Sequence, residues 1–214
     1  MNLVVIAKAP VPGRSKTRLC PPCSPGEAAD LAEAALVDTL HVVGEAGETL
    51  DARTVLVLDG SPGTGLPPGF LVVEQRGGGL DERLAAAFDD VGGPALLVGM
   101  DTPQLTPTMV ADAVRLMEES VVDAVLGEAV DGGWWAIGLQ RPDPRIFLGV
   151  PMSSSSTCEA QRARLNTLEL TVAELPVLRD VDTFDDALAV ASEAPGTRFA
   201  AAVAGLAFAK VEER

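Results

Sequence analysis

The sequence predicts an α/β protein in which a mainly parallel sheet lies between helical layers. Three observations carry this. Short apolar runs rich in Val, Leu and Ala recur along the chain, each followed by Gly/Pro punctuation and then a helical pattern, and strands alternating with helices in this way build parallel sheets. The run Ala95–Val98 is apolar at every position, as a central strand covered on both faces must be. The residues with the most chemical character follow directly after predicted strands, the edge at which open α/β sheets bind ligands. At 214 residues the chain suits one domain spanning 1–214.

Leu3–Ala7 is the first strand, short, apolar and rich in β-branched residues. Ser24-Pro25-Gly26-Glu27 combines a capping box with proline at the first helical position. It opens a helix expected to stop near Gly44 or Gly47. Arg53–Leu58 is the second strand, followed by a Gly/Pro loop from Asp59 to Gly69, and Phe70–Glu74 is the third. Gly77-Gly78-Gly79 leads into an amphipathic helix over Leu80–Asp90. After the strand Ala95–Val98, Thr106-Pro107 caps and starts a helix reaching about Glu119. Asp123–Leu126 and Trp134–Leu139 are strands joined by the turn Asp131-Gly132-Gly133. A helix over Ser153–Leu165, a strand near Leu170–Ala173, a helix from Thr183 and an Ala-rich helix over Pro195–Lys210 complete the chain.

The loop after the first strand carries Lys8, Arg14, Lys16 and Arg18, with no acid before Glu27. Net charge is -15, and two of the three lysines lie in this loop. An acidic protein repels anions, so four clustered cations read as a dedicated phosphate site. Pro12 and Gly13 shape the loop and lower the entropy lost on ligand binding. The competing reading is a solvated basic turn. An exposed loop cation stabilises little, so Lys16→Ala is expected to weaken nucleotide binding with little change in the fold.

Asp101 stands where a strand stops before Pro103, and Asp182, with Asp180 two residues earlier on the same strand face, follows a late strand. Carboxylates at a phosphate-binding edge suit Mg²⁺ or Mn²⁺, which share ligands between protein oxygens and phosphate. Each aspartate taken alone is equally good as a turn or cap residue. Glu128, Asp131, Gly132, Gly133 and Trp134 form a third patch, where glycines permit close backbone approach to a ligand. Trp134 and Trp135 face opposite sides of a strand, so one lines a pocket while the other packs in the core.

Several classes are excluded on this reading. A pI of about 4.3 argues against nucleic acid as a partner. No apolar run approaches the length of a membrane span. The N-terminus lacks the pattern of a secretory signal, which makes the chain cytoplasmic. Cys20-Pro21-Pro22-Cys23 is a CxxC, but Cys158 and His41 lie too far away in sequence to complete a zinc pattern. The oligomeric state is left open, a homodimer included.

Taken together, Lys8-Ala9-Pro10, Pro12-Gly13, Lys16-Thr17-Arg18-Leu19, Gly99-Met100-Asp101-Thr102-Pro103, Asp131-Gly132-Gly133, Ile137-Gly138-Leu139 and Asp180-Val181-Asp182-Thr183 resemble the bacterial radical-SAM/selenodomain-associated transferase 1 family. These proteins are glycosyltransferase-like members of the nucleotide-diphospho-sugar transferase superfamily. More distantly, the chain resembles phospholactate guanylyltransferase and the molybdenum-cofactor nucleotidyltransferases. The resemblance covers about residues 3–190. It implies a three-layer, Rossmann-like GT-A fold with a mainly parallel mixed sheet, a bound nucleotide and a divalent metal held by Asp101 and Asp182. It adds Gln75, Gly78, Leu80 and Arg83 to the nucleotide site. It departs from the family at Gly79, Asp81, Met152 and the Trp134-Trp135 pair. The reading is a transferase acting on a nucleotide and a small-molecule acceptor, with Lys16, Asp101 and Asp131 as catalytic residues. Glycosyl transfer from an NDP-sugar leads. Nucleotidyl transfer from an NTP to a phosphorylated acceptor is the alternative, and a non-catalytic nucleotide-binding protein is the third.

Overall fold

The computed structural model describes residues 1–61 and 65–212, with side chains as far as Leu206. Residues 62–64 of the loop expected over Asp59–Gly69 lie outside the described residues. Seven strands form one mixed sheet: β1 (Asn2–Lys8), β2 (Arg53–Asp59), β3 (Leu71–Glu74), β4 (Ala95–Gly99), β5 (Ala124–Ala129), β6 (Trp134–Leu139) and β7 (Val172–Leu178). Their spatial order is β3-β2-β1-β4-β6-β5-β7. All neighbours run parallel except β6, which is antiparallel to both β4 and β5. The hairpin expected at Asp131-Gly132-Gly133 therefore reverses the chain inside the sheet.

Helices α1 (Pro25–Leu50), α2 (Leu80–Val91), α3 (Pro107–Met117), α4 (Thr157–Thr167), α5 (Phe184–Glu193) and α6 (Arg198–Glu212) cover it. The alternation of strand side chains splits the core. Leu3, Val5, Leu56 and Leu96 pack with α1 and α3 on one face. Val4, Val55, Val57 and Leu97 pack with α2, α4 and Phe147 on the other. A third cluster lies outside α1, where Leu31 and Ala35 meet Val190 of α5 and Phe199 of α6. Among the described residues no helix is long and apolar enough to cross a membrane.

Among the element boundaries that differ from expectation, three have a clear local reason. Helix α1 runs through Gly44 and Gly47 to a left-handed Asp51. A Cβ on Gly47 would come within 2.5 Å of the Thr54 methyl, so this glycine lets the helix lie close to β2 instead of ending it. Helix α4 begins at Thr157, not Ser153, because Ser153 is left-handed (φ 58°) and the Ser154 N–H donates to Thr157 Oγ1. Strand β7 continues to Leu178 through Pro176. It pairs only with β5, and an edge strand tolerates the missing N–H.

Candidate functional site

Strand β1 sits between β2 and β4, which are reached by connections on opposite sides, so the carboxyl ends of these strands form the crevice of a doubly wound sheet. Lys8 ends β1 beside Asp59 of β2, and Gly99 ends β4 beside Ile6. A cleft of about 580 Å³ opens here, and an adjoining pocket of about 270 Å³ shares Lys8, Met100 and Asp101 with it.

The basic loop is held by a buried serine. Ser15 Oγ donates to the Ala9 carbonyl at 2.9 Å and accepts the Val11 N–H at 3.1 Å. Gly13 takes the positive φ that the turn requires, +74°. This winding drives Lys16, itself left-handed, inward. Its side chain is 12% exposed, with Nζ 2.9 Å from Asp101 Oδ2 and 3.5 Å from Asp182 Oδ1. Nζ also donates to the Val181 carbonyl at 2.5 Å. Burial pulls the ammonium down, but Asp101, Asp182 and Asp180 outweigh it and hold the group above the ordinary lysine range. The expectation that Lys16 is an exposed cation is therefore overturned: it ties β1's loop to the ends of β4 and β7. Arg18 is bound to Asp182 at 2.7 Å. Lys8 and Arg14 are the two loop cations that form no ion pair among the described residues, and both line the smaller pocket.

Asp180 and Asp182 lie beyond the strand and not on it, yet their carboxylates still come together on one side of the chain. Strand β7 ends at Leu178, and the Val181 N–H donates to the Asp101 carbonyl at 3.0 Å. Val181 points into the core, 1% exposed. Oxygens of Asp131, Asp180 and Asp182 lie within 4.8 Å of one another, whereas Asp101 stands outside this trio against Lys16. Burial, with Asp131 and Asp182 nearby, pushes the Asp180 carboxyl up to about 6. Such a cluster of hard oxygens fits a divalent cation. Neither His41 nor the cysteines take part; Cys23 and Cys158 are buried.

On the β2 side, Gln75 Nε2 donates to the carbonyls of Ala7 and Val57, and Arg83 pairs with Asp59 at 2.8 Å. Both line the large cleft with Leu80. Gly78 does not; its N–H is taken by Glu82. Pro12 and Gly13 are exposed on the loop's outer turn.

The third patch divides. Asp131, Gly133 and Trp134 line the large cleft. Glu128 faces away, bound to Arg162 at 3.1 Å. Gly132 (φ +87°) packs on α4's approach, where a Cβ would meet the Ser155 carbonyl at 2.0 Å. Trp135 is buried, donating to the Pro176 carbonyl at 3.0 Å, and Gly127 makes room for its ring. Both tryptophans border the cleft, and the expected division holds only in that the Trp135 ring packs in the core. The large cleft is also lined by Asp59, Thr102, Ser153 and Ser154, to which the sequence reading gives no role. Asp59 ends a strand just as Asp101 does, so the same signal was present; the others carry no pattern of their own.

Residues 42–154 match a protein family described as uncharacterized and conserved in bacteria, DUF2064. The chain belongs to this family. The match takes in Asp101 and Asp131 but leaves the basic loop and Asp182 outside. No curated protein matches the chain. A candidate nucleotide-diphospho-sugar transferase from Desulfovibrio desulfuricans G20 is 25% identical, with a TM-score of 0.83 over 98% of this chain and 95% of its own. Two others share the fold alone. Rv0371c of Mycobacterium tuberculosis H37Rv, in complex with manganese, is 21% identical (TM-score 0.51, 88% of this chain and 96% of its own). CMP:2-keto-3-deoxy-manno-octonic acid synthetase, complexed with CTP, is 13% identical (TM-score 0.50, 85% and 92%).

Proposed function

We infer that the protein is a metal-dependent, nucleotide-binding transferase that moves a glycosyl group from an NDP-sugar to a small acceptor. One observation carries the choice of donor. The charged residues lining the two connected pockets are Lys8, Arg14, Lys16, Arg18 and Arg83 against Asp59, Asp101, Asp131, Asp180 and Asp182. Five cations meet five carboxylates, so the site by itself is neutral. A divalent ion brings it to two positive charges. That balances the roughly two negative charges of an NDP-sugar, whereas the terminal phosphate of an NTP raises the ligand to about four. Of the four loop cations, Lys16 and Arg18 are already committed to Asp101 and Asp182, which leaves Lys8 and Arg14 for two phosphates. The likeness to a candidate nucleotide-diphospho-sugar transferase supports the same reading.

In this reading Lys8 and Arg14 meet the diphosphate, and Gln75, Leu80 and Arg83 form the side of the cleft that receives the nucleoside. Asp182 is common to the two ligand sets considered for the ion: Asp101 with Asp182 by resemblance, and Asp131 with Asp180 and Asp182 by proximity. We assign the second set, which makes Asp131 a ligand before it is a base and leaves Asp101 to orient Lys16. Bound there, a divalent ion supplies positive charge against the departing diphosphate.

The test is a thermal-shift and calorimetric screen of NDP-sugars and NTPs with Mg²⁺ or Mn²⁺, with and without chelator. A ligand that binds the folded state raises the midpoint by mass action. A metal-dependent shift with one NDP-sugar is expected. A shift confined to one NTP would replace this reading with nucleotidyl transfer. Tight nucleotide binding unaffected by chelator would replace it with the non-catalytic one.

A further inference from the structure

The corner of the large cleft beside β2 has its donors and acceptors fixed in place. Gln75 Nε2 donates to the Ala7 carbonyl at 2.7 Å and to the Val57 carbonyl at 3.2 Å. Both amide protons are thereby used, and a flipped amide would set Oε1 against two carbonyl oxygens. The end of Gln75 left over is therefore the amide oxygen, 3.4 Å from Arg83 Nη1. The same Nη1 lies 2.8 Å from Asp59 Oδ2. One guanidinium nitrogen thus stands between an amide oxygen and a carboxylate.

These contacts do not exhaust the pair. Among the described residues Asp59 Oδ1 accepts no hydrogen bond, and Arg83 Nη2 and Nε donate none. The Arg83 and Asp59 side chains are 31% and 35% exposed, and both line the cleft with Gln75. The rest of this wall is Ile6, Ala7, Lys8, Leu80 and Leu84, without a hydroxyl or a second amide. Lys8 is the residue assigned above to the diphosphate. A ring lying in this corner meets acceptors at Asp59 and Gln75 and donors at Arg83, with the exposed Leu80 as apolar cover.

We propose that this corner reads the base of the nucleotide and selects guanine through Asp59 and Arg83. The claim rests on the nucleotide-binding reading above and adds the identity of the base. On its Watson–Crick edge guanine carries two adjacent donors, N1–H and the 2-amino group, and next to them the O6 acceptor. The two donors suit the carboxylate, where hydrogen bonds are charge-assisted, and O6 suits the guanidinium. Adenine and cytosine present one amino group beside a ring acceptor, so they satisfy one acceptor of the corner and not two. Uracil presents a single N–H between two carbonyls, one of which would face the acceptors. A site built to hydrogen-bond its ligand discriminates through the polar groups that a wrong ligand leaves unpaired. Gln75 is the positioning residue, since its amide is tied to β1 and β2 and its oxygen steadies Arg83.

The experiment is titration calorimetry of the full chain with Mg²⁺ and the diphosphates of guanosine, inosine, 2′-deoxyguanosine, adenosine, cytidine and uridine. GDP is expected to bind about tenfold or more tightly than ADP and CDP, with UDP weakest. Inosine diphosphate lacks only the 2-amino group and should bind about tenfold more weakly than GDP, while 2′-deoxy-GDP should stay within about threefold. Asp59→Asn keeps the size of the side chain but turns an acceptor into a donor. It should bring the ratio of GDP to inosine diphosphate affinity below about three and leave UDP within about threefold. A merely structural Asp59 would weaken every nucleotide together and leave that ratio unchanged. Equal binding of inosine diphosphate and GDP in the parent overturns the proposal without any variant, as does another base bound as tightly as GDP. A ratio that survives Asp59→Asn overturns it too. So does a larger loss with 2′-deoxy-GDP than with inosine diphosphate, which would give Asp59 to the ribose, as an acid after the second strand serves in dinucleotide folds. Each of these outcomes leaves the transferase reading standing. Failure of every diphosphate to bind sinks that reading, and the choice of base with it.

Discussion

The two halves of the ligand edge are built differently. The β1–β2 half is local: Lys8, Arg14, Lys16 and Arg18 lie on one loop whose shape Ser15 and Gly13 fix within a few residues. The β4–β7 half is assembled from distant segments. Asp101 follows β4, Asp131 lies in the β5–β6 turn, and Asp180 and Asp182 follow β7. The first half has two cations, Lys8 and Arg14, that form no ion pair among the described residues. The second has carboxylates, one of which, Asp180, is pushed up to about 6 by burial and by Asp131 and Asp182 close by. Lys16 is the bolt between the halves. The comparison teaches that a loop of clustered cations can be read as a motif, whereas a carboxylate cluster is a property of the folded sheet edge.

The comparison is broken most directly at Asp182, which serves both halves. Asp182→Asn should remove metal-dependent nucleotide binding, a loss of more than a hundredfold by calorimetry, because it takes a charge from the trio and frees Arg18 and Lys16. Binding within tenfold of the parent would separate the ion from this cluster. Asp131→Asn sharpens the assignment: weaker Mn²⁺ binding makes Asp131 a ligand, while unchanged Mn²⁺ binding with lost turnover makes it a base.

Lys16→Ala comes next. It leaves Asp101 and Asp182 facing each other and the Val181 carbonyl without its donor, so a stability loss of about 2 kcal/mol is expected in a urea melt, partial exposure of the two aspartates keeping it below the cost of a fully buried pair. A variant as stable as the parent would return Lys16 to the role of an exposed phosphate cation.

Asp180→Asn tests the crowding through pH. Below about pH 3.8 the Asp180 carboxyl is protonated in both states and contributes nothing. As pH rises toward 6 the unfolded chain loses this proton first, so the folded chain binds more protons and stability falls with pH. Above about 6 the penalty is constant, on the order of 3 kcal/mol. Chelator-treated Asp180→Asn should lack this fall between pH 4 and 6; an unchanged profile would place the crowding elsewhere.

The smallest effect belongs to Arg14→Ala. This exposed cation forms no ion pair among the described residues, so the melting midpoint should not move, while nucleotide affinity should fall about tenfold and the salt dependence of binding should weaken.

The sequence alone determined the alternation of strands and helices, the caps at Ser24 and Thr106, and the loop of cations, because each rests on neighbours in the chain: hydrophobic period, turn chemistry and spacing. It also placed Asp101 and Asp182 at the ligand edge, since both follow strands. Only the tertiary structure decided which charges are spent on each other. It buried Lys16 between Asp101 and Asp182, turned Glu128 outward to Arg162, committed Gln75 to the carbonyls of β1 and β2, and brought Asp131 to Asp180. These outcomes depend on the order β1-β4-β6-β5-β7 and on the antiparallel entry of β6. A hydrogen-bonded ion pair needs its partners within about 3 Å, so the partners of a charge are set by sheet order and not by spacing along the chain.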